Sequence, residues 1–340
     1  MLEIDGSRGE GGGQILRTSL SLSTLTQTPI RLFHIRSNRS RPGLQNQHLV
    51  SVLAAGRICD AEISGAVLGS REICFRPGPI RGGDYSFSIG SAGSCMLVLQ
   101  TILLPLVLAD SPSRLVLEGG THNPFAPTVH FLNACYLPLL RKMGIQVELK
   151  LERPGFYPAG GGRCTVDIKP SVDGLRPIEV LERGQLRSQS VHALISQLPE
   201  SIANRELQVA LRVLQWSKKS VRQEQVESLG PGNVLLVHCE FEHVSELVSG
   251  VGEKGKSAEI VAKNAARAMQ AYLKSDAPIG LHLADQLLLP LALAGGGELR
   301  CQGITEHTLT NIGTIQLFLP ISIAHRALAD GTYHVALAKE

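Results

Sequence analysis

The sequence predicts an α/β protein of the α+β kind. Its body is a repeat of three units, each a small sheet with two helices, and a small α/β domain is inserted into it. Three observations carry this. One order of elements occurs three times: a long apolar helix, a small-residue turn, a short strand, a polar loop and a second helix. TSLSLSTLTQTPIRLFHI (18 to 35) lies without gaps on TILLPLVLADSPSRLVLE (101 to 118). The segment from 183 to 278 breaks the pattern, is richer in Gln, Glu and Lys, and holds the only tryptophan, Trp216. The expected division is 1–182 with 279–340 for the repeat-built body, and 183–278 for the insert.

In chain order, LEIDG reads as a short strand, and EGGGQ leads into a helix, ILRTSLSLSTLT, whose apolar residues recur at helical spacing. The strand IRLFHI follows, then the basic loop HIRSNRSRPG, a helix through Gln47 to Ala55, and two strands within AEISGAVLGSREICFRPG. The second copy opens with the strand YSFSIG and the turn SAGS, then the helix CMLVLQTILLPLVLA and the strand RLVLEGG. Its polar loop runs from Gly120 to Pro127, before the helix VHFLNACYLPLLRKMG and the strands IQVELKL and RCTVDIKP. The third copy is placed from Leu283, after the insert, with a shorter turn. This register sets Arg17, Gln100 and Gln286 at equivalent places near the starts of three helices, which could face a common centre.

Composition narrows the function classes. At 340 residues, 43% hydrophobic and 19% charged, the chain is an ordinary globular sequence, and no apolar run of about 20 residues is long enough to span a bilayer. The start, MLEIDGSRGEGG, lacks the basic and apolar regions of a signal peptide, so a cytoplasmic protein is expected. Seven cysteines without a CxxC pair read as buried thiols in a reducing compartment. A net charge of +3 excludes a polycation, and any nucleic-acid contact must be local, with Arg36, Arg39 and Arg41 as the densest patch.

Four stretches could carry chemistry. Cys301 to Pro320 sets His307 in a polar loop between an apolar strand and an apolar helix, flanked by hydroxyls; only this copy of the loop is read that way. SRGEGGGQILR is either a simple turn or a phosphate loop, its glycines freeing backbone amides for an anion at a helix start. Glu10 beside it suits magnesium or manganese, and Arg17 can reach the same oxyanion. GVGEKGKS (250 to 257) matches the P-loop letters, yet no clear strand precedes it and too little chain follows, so a solvated loop before an insert helix is expected. GFYPAGGG (155 to 162) is either a ligand-facing loop or a bend. His130 and His282 read as surface or capping residues, and His238 and His243 beside Cys239 lack the partners a metal site needs.

Together EGGGQILR, RSRPG with QHL, RGGDYSFSIGSAGSC, GGTHNPFAP, GFYPAGGG, GPGN, SAE, LADQ and HTLTNI resemble the RNA 3'-terminal phosphate cyclase family along essentially the whole chain. The resemblance implies a body of repeats like those of enolpyruvyl transferases, with a small inserted domain. It implies that His307 becomes adenylated, that ATP is held by Gln100 and the run His282, Leu283, Ala284, Asp285 and Gln286, and that Pro127 and Phe131 line the adenine pocket. Glu10 would be the carboxylate for Mg2+ or Mn2+, and Arg17, Arg36, Arg39 and Gln47 the polar residues for phosphate and the RNA end. His282 stands where the family often has an aromatic residue. The implied activity is ATP-dependent conversion of an RNA 3'-phosphate to a 2',3'-cyclic phosphate through histidine-AMP and RNA-adenylate intermediates. A catalytically silent relative that binds RNA in ribosome assembly, and an enolpyruvyl-type transferase, are the competing readings; His307 and Glu10 favour the enzyme. A homodimer is left open, and no membrane partner is expected.

Overall fold

A computed structural model of the chain describes residues 1–340. Its strands form four separate four-stranded sheets. The first unit runs β1 (Leu2–Asp5), α1 (Gln14–Thr26), β2 (Ile30–Phe33), α2 (Asn46–Ile58), β3 (Glu62–Ser64) and β4 (Ile73–Arg76). The second runs β5 (Asp84–Ser88), α3 (Cys95–Val107) and β6 (Ser113–Gly119). Its second helical segment passes from α4 (Val129–Phe131) through a π-helical turn (Leu132–Tyr136) into α5 (Leu137–Lys142), followed by β7 (Gln146–Arg153) and β8 (Gly162–Lys169). The third opens with β9 (Glu179–Val180) and is interrupted by β10 (Leu186–Ser196), α6 (Glu200–Leu214), β11 (Val221–Gln225), β12 (Gly232–Phe241), β13 (Ser245–Val251) and α7 (Ala258–Ser275). It resumes as α8 (Leu281–Leu293), β14 (Gly296–Cys301), α9 (Glu306–Gln316), β15 (Ile321–Ala327) and β16 (Tyr333–Lys339).

The strand orders β1-β2-β4-β3, β5-β6-β8-β7 and β9-β14-β16-β15 are one topology repeated. In each, the first pair is parallel across a helical crossover and the next two are antiparallel. The third unit therefore begins at β9, upstream of the inserted elements, and not at Leu283. The insertion interrupts that unit between its first strand and first helix. A strand of two residues, Glu179 and Val180, has no period for a sequence pattern to show.

The inserted sheet explains its own sequence. In β12, Leu235, Val237, Cys239 and Phe241 join an apolar cluster with Leu207 of α6 and Met269 and Tyr272 of α7, whereas Val234 and Leu236 join the core of the body. Alternate residues of one strand thus face opposite layers, and a strand covered on both faces reads as a continuous apolar run. The central helices follow the same logic. Every residue of α3 is buried except Gln100, as expected for a helix apolar all round. All seven cysteines are free and six are buried; burial raises the thiols of Cys59, Cys135, Cys239 and Cys301, which keeps them inert. No helix is long and apolar enough to cross a membrane.

One buried carboxyl ties the inserted sheet to the body. Glu246 on β13 is 4% exposed, and its Oε2 accepts the N–H of Gly280, the residue that starts α8, at 3.1 Å. Burial pushes this carboxyl up from 4.5 to about 8. The folded protein therefore keeps a proton that the unfolded chain releases, and the stabilisation present below 4.5 is lost as pH rises through about 8. Glu246→Gln, which cannot ionise, is expected to lose less melting temperature than wild type between about pH 5.5 and about pH 8.5. Circular dichroism melts at the two pH values measure this, and equal losses would show that Glu246 does not set the slope.

Candidate active site

Helix α9 starts with a capping box: the Thr305 hydroxyl accepts the Thr308 N–H at 3.1 Å and the Thr308 hydroxyl accepts the Thr305 N–H at 3.3 Å. His307 is therefore the second residue of a helix and not a loop residue. The sequence hid this because Thr305 to Thr310 is polar apart from Leu309 and carries no apolar stripe. The imidazole is about half exposed, with Nδ1 3.6 Å from Glu10 Oε2. Burial, then the cations Arg17 and Arg39, hold it below its ordinary value of 6.5 and favour the neutral, nucleophilic ring.

Glu10 comes from the glycine-rich loop between β1 and α1. Its N–H donates to Thr310 Oγ1 at 3.0 Å, Oε1 pairs with Arg39, and Oε2 is buried with no hydrogen-bond partner. Gly9 holds φ at +57° with its Cα against the Thr310 side chain, a backbone that other residues adopt poorly. A Cβ on Gly13 would come within 2.6 Å of both Arg17 Nη1 and His48 Nε2, so only glycine lets those side chains close on the loop. Helices α1 and α8 begin without a side-chain cap, which leaves first-turn amides available to an anion, whereas at the start of α3 the Cys95 N–H donates to Gly120 O at 3.0 Å.

Behind the histidine, α1, α3 and α8 converge. Arg17, Gln100 and Gln286 line one pocket with Gln14, Tyr136 and Asn311. Gln100 Nε2 donates to Gln286 Oε1 at 2.8 Å. Desolvation lowers Arg17 to about 10, against the pull of Asp285, and raises Asp285 to about 7, against the pull of Arg17. The pair is thus poorly solvated, and an incoming anion would compensate Arg17. His282, in the first turn of α8, is pushed down by desolvation and then by the charge of His307.

The other candidate residues fall elsewhere. Leu283 and Ala284 are 0% and 1% exposed: helical phase turns them into the core and leaves His282, Asp285 and Gln286 on the open side. Phe131 is 5% exposed in the main core, and neither it nor Pro127 lines the Arg17 pocket. The Arg36 guanidinium is spent on its own loop, donating to Arg41 O and to Gly43 O at 3.0 Å, so of the three loop arginines only Arg39 contacts Glu10. Gln47 Oε1 accepts the Ser94 N–H at 2.9 Å and joins the first two units. His130 is no surface residue: its Nδ1 lies 2.9 Å from Nε2 of the buried His122, and burial takes it to about 4. A strand, β13, does precede the P-loop-like run, but it is an antiparallel edge. Lys256 pairs with Glu253 at 2.6 Å, and the Ser257 side chain caps α7. No group of three or more His, Cys, Asp or Glu gathers as a metal site.

Three residues of the site were missed in the sequence. Asn311 takes the Thr18 hydroxyl on Oδ1 at 2.9 Å and donates to Asp285 O at 2.7 Å, cross-linking α9 to α1 and α8. Its spacing of four from His307 was the available signal. Thr310, which receives the Glu10 N–H, and His48, pushed to about 3 by burial and then by Arg17 and Arg36, carried none.

Solved structures matched include EPSP synthase from Acinetobacter baumannii and the enolpyruvyl transferase NikO from Streptomyces tendae, at 11% and 10% identity and TM-scores of 0.32 and 0.26. These matches cover 99% and 100% of this chain but only 64% and 66% of those chains, and a likeness that weak carries no weight. Curated relatives are much nearer. The RNA 3'-terminal phosphate cyclase of Pseudomonas fluorescens is 49% identical over 98% of this chain and 97% of its own. That of Koribacter versatilis is 50% identical over 95% and 91%, and that of Salmonella enteritidis 44% over 97% and 97%. With the family model for RNA 3'-terminal phosphate cyclase also matching residues 8–325, the chain belongs to the RNA 3'-terminal phosphate cyclase family.

Proposed function

We propose that the protein uses ATP to convert an RNA 3'-terminal phosphate into a 2',3'-cyclic phosphate, with His307 carrying AMP covalently. The observation that supports this most is the neutral-biased imidazole of His307 set between Glu10, Arg17 and Arg39. His307 Nε2, the ring nitrogen away from Glu10, attacks the α-phosphorus of ATP as pyrophosphate leaves. Arg17 and the uncapped first turn of α1 face the departing charge. Asp285 and Gln286 on α8, with Gln100 from α3, hold the nucleoside end. AMP then passes from His307 to the RNA 3'-phosphate, which Arg39 orients, and the neighbouring 2'-hydroxyl closes the ring and expels AMP. A divalent cation fits the site at one point: the unpartnered Oε2 of Glu10 could hold Mg2+ or Mn2+, which takes few carboxylates beside phosphate oxygens and would supply charge neutralisation on the triphosphate.

Incubation with α-labelled ATP and a divalent cation, followed by a denaturing gel, tests the reading directly. His307→Asn is expected to reduce labelling to background while melting like wild type, because the side chain is half exposed and leaves no cavity. A mutant labelled at the wild-type rate would remove His307 from the chemistry. Lys256→Ala, across the solvated loop before α7, should label as wild type does; loss of labelling there would give the P-loop letters a role.

Labelling should also depend on pH in a way set by the neighbouring cations. Protonation of His307 stops attack, and its affinity for a proton is lowered, so the acid limb of the single-turnover rate is expected below 6.5. Removing a nearby positive charge lets the ring protonate more easily. Arg39→Ala should therefore move the limb upward toward 6.5, and an unmoved limb would deny the coupling of the two residues.

A further inference from the structure

The chain has 8 Phe, 5 Tyr and 1 Trp, and among its exposed large apolar side chains only Phe125, at 102%, and Tyr157, at 70%, are aromatic. Both lie on one rim. Phe125 is the one fully exposed residue of the second unit's polar loop, with φ at +61°, a left-handed backbone that costs a bulky residue energy and here holds the ring in water. Tyr157 lies in the GFYPAGGG loop between β7 and β8. The two loops are bridged in parallel at His122 and Phe156, so Phe125 follows three residues and Tyr157 one residue after a shared anchor, the second loop turning back as the Gly160 N–H donates to Phe156 O at 2.7 Å. Leu229, 63% exposed, comes from the insert and lies against Gly161 of the same loop.

The rim is continuous with the site. Asn123 Nδ2 donates to Ala92 O at 2.6 Å, and a Cβ on Gly160 would meet Ser91 O at 2.8 Å, so both loops sit on the turn between β5 and α3. That turn ends at Ser94, whose N–H is held by Gln47, beside His48 and the loop of Arg39. Arg153 adds a cation, its Nε donating to Gly161 O at 2.8 Å. With a net charge of only +3, the chain cannot rely on a broad basic face to hold a polyanion.

From this geometry we infer that Phe125 and Tyr157 form a stacking platform for the bases just upstream of the RNA 3' end. The inference rests on the RNA 3'-phosphate reading above. An unpaired RNA end presents flat bases that aromatic faces accept whatever the sequence, and the terminal phosphate is held at Arg39 while the preceding nucleotides cross Ser91 to Gly93.

Fluorescence anisotropy of a labelled single-stranded oligoribonucleotide, without ATP and at one salt concentration, tests this. Phe125→Ala and Tyr157→Ala are each expected to weaken binding about tenfold, and Tyr157→Phe to keep it. An oligonucleotide with abasic residues before its 3'-phosphate should bind wild type weakly and should not register the substitutions. Melting temperatures confirm that the variants are folded. Full affinity after loss of both rings overturns the platform. So does a change of oligomeric state by light scattering with RNA affinity intact, which would assign the rings to a second copy of the chain. A wild-type protein that ignores whether the oligonucleotide ends in phosphate or hydroxyl overturns the functional reading instead.

Discussion

Glu10 joins three pieces of chain that sequence keeps far apart: its own glycine loop after β1, Arg39 from the first unit's polar loop, which pairs with the carboxylate, and α9 of the third unit, where His307 faces the carboxylate and Thr310 accepts the backbone N–H. A carboxylate only 13% exposed is costly unless its oxygens are matched, and here one is matched by Arg39 while the other has no hydrogen-bond partner. This corner of the candidate site therefore holds a buried carboxylate with one oxygen matched and one left unmatched. The glycines at 9 and 13 are the backbone side of the same constraint, since side chains there would push Thr310, Arg17 and His48 away.

Repetition supplies the rest of the frame. Because the three units share one strand order, their first helices arrive at a common centre, where Arg17, Gln100 and Gln286 meet at equivalent places and α1 adds Gln14, Thr18 and Ser21. Gln100 is alone unburied on a helix with a core on every side. The units then diverge in the polar loop after their second strand. In the first it carries Arg39, in the second it carries the buried His122, which pairs with His130 of α4, and the exposed Phe125, and in the third it is shortened into the capped start of α9 that bears His307. The inserted sheet is not a passenger, since Glu246 holds the N–H of Gly280, the N-cap of α8, the helix that also carries Asp285 and Gln286.

Much of this was legible in the residues because it depends on local pattern. Apolar periodicity and the ungapped likeness of 18 to 35 with 101 to 118 expose the units, and change of composition marks 183 to 278. Where pattern was too short or too polar it failed. The two residues of β9 have no period, so sequence pattern shows the third unit only from α8 onward, and a capping box without apolar stripe gives the start of α9 the look of a loop. HVSELVSG mixes polar and apolar residues because β13 is an edge strand, which hid the strand before the P-loop-like run.

By itself, the sequence determined the family, the repeated units, and His307 and Glu10 as the residues to suspect, because each is written in contiguous motifs. The tertiary structure alone decided which members of those motifs face the site. Helical phase buried Leu283 and Ala284, loop closure turned Arg36 inward onto carbonyls, and packing put Phe131 in the core. It also brought in Asn311, Thr310 and His48, whose partners lie hundreds of residues away or across a glycine turn. The reason is physical: a motif records which side chains are present, whereas burial, charge pairing and the cations that keep His307 neutral arise from neighbours that only the folded chain assembles.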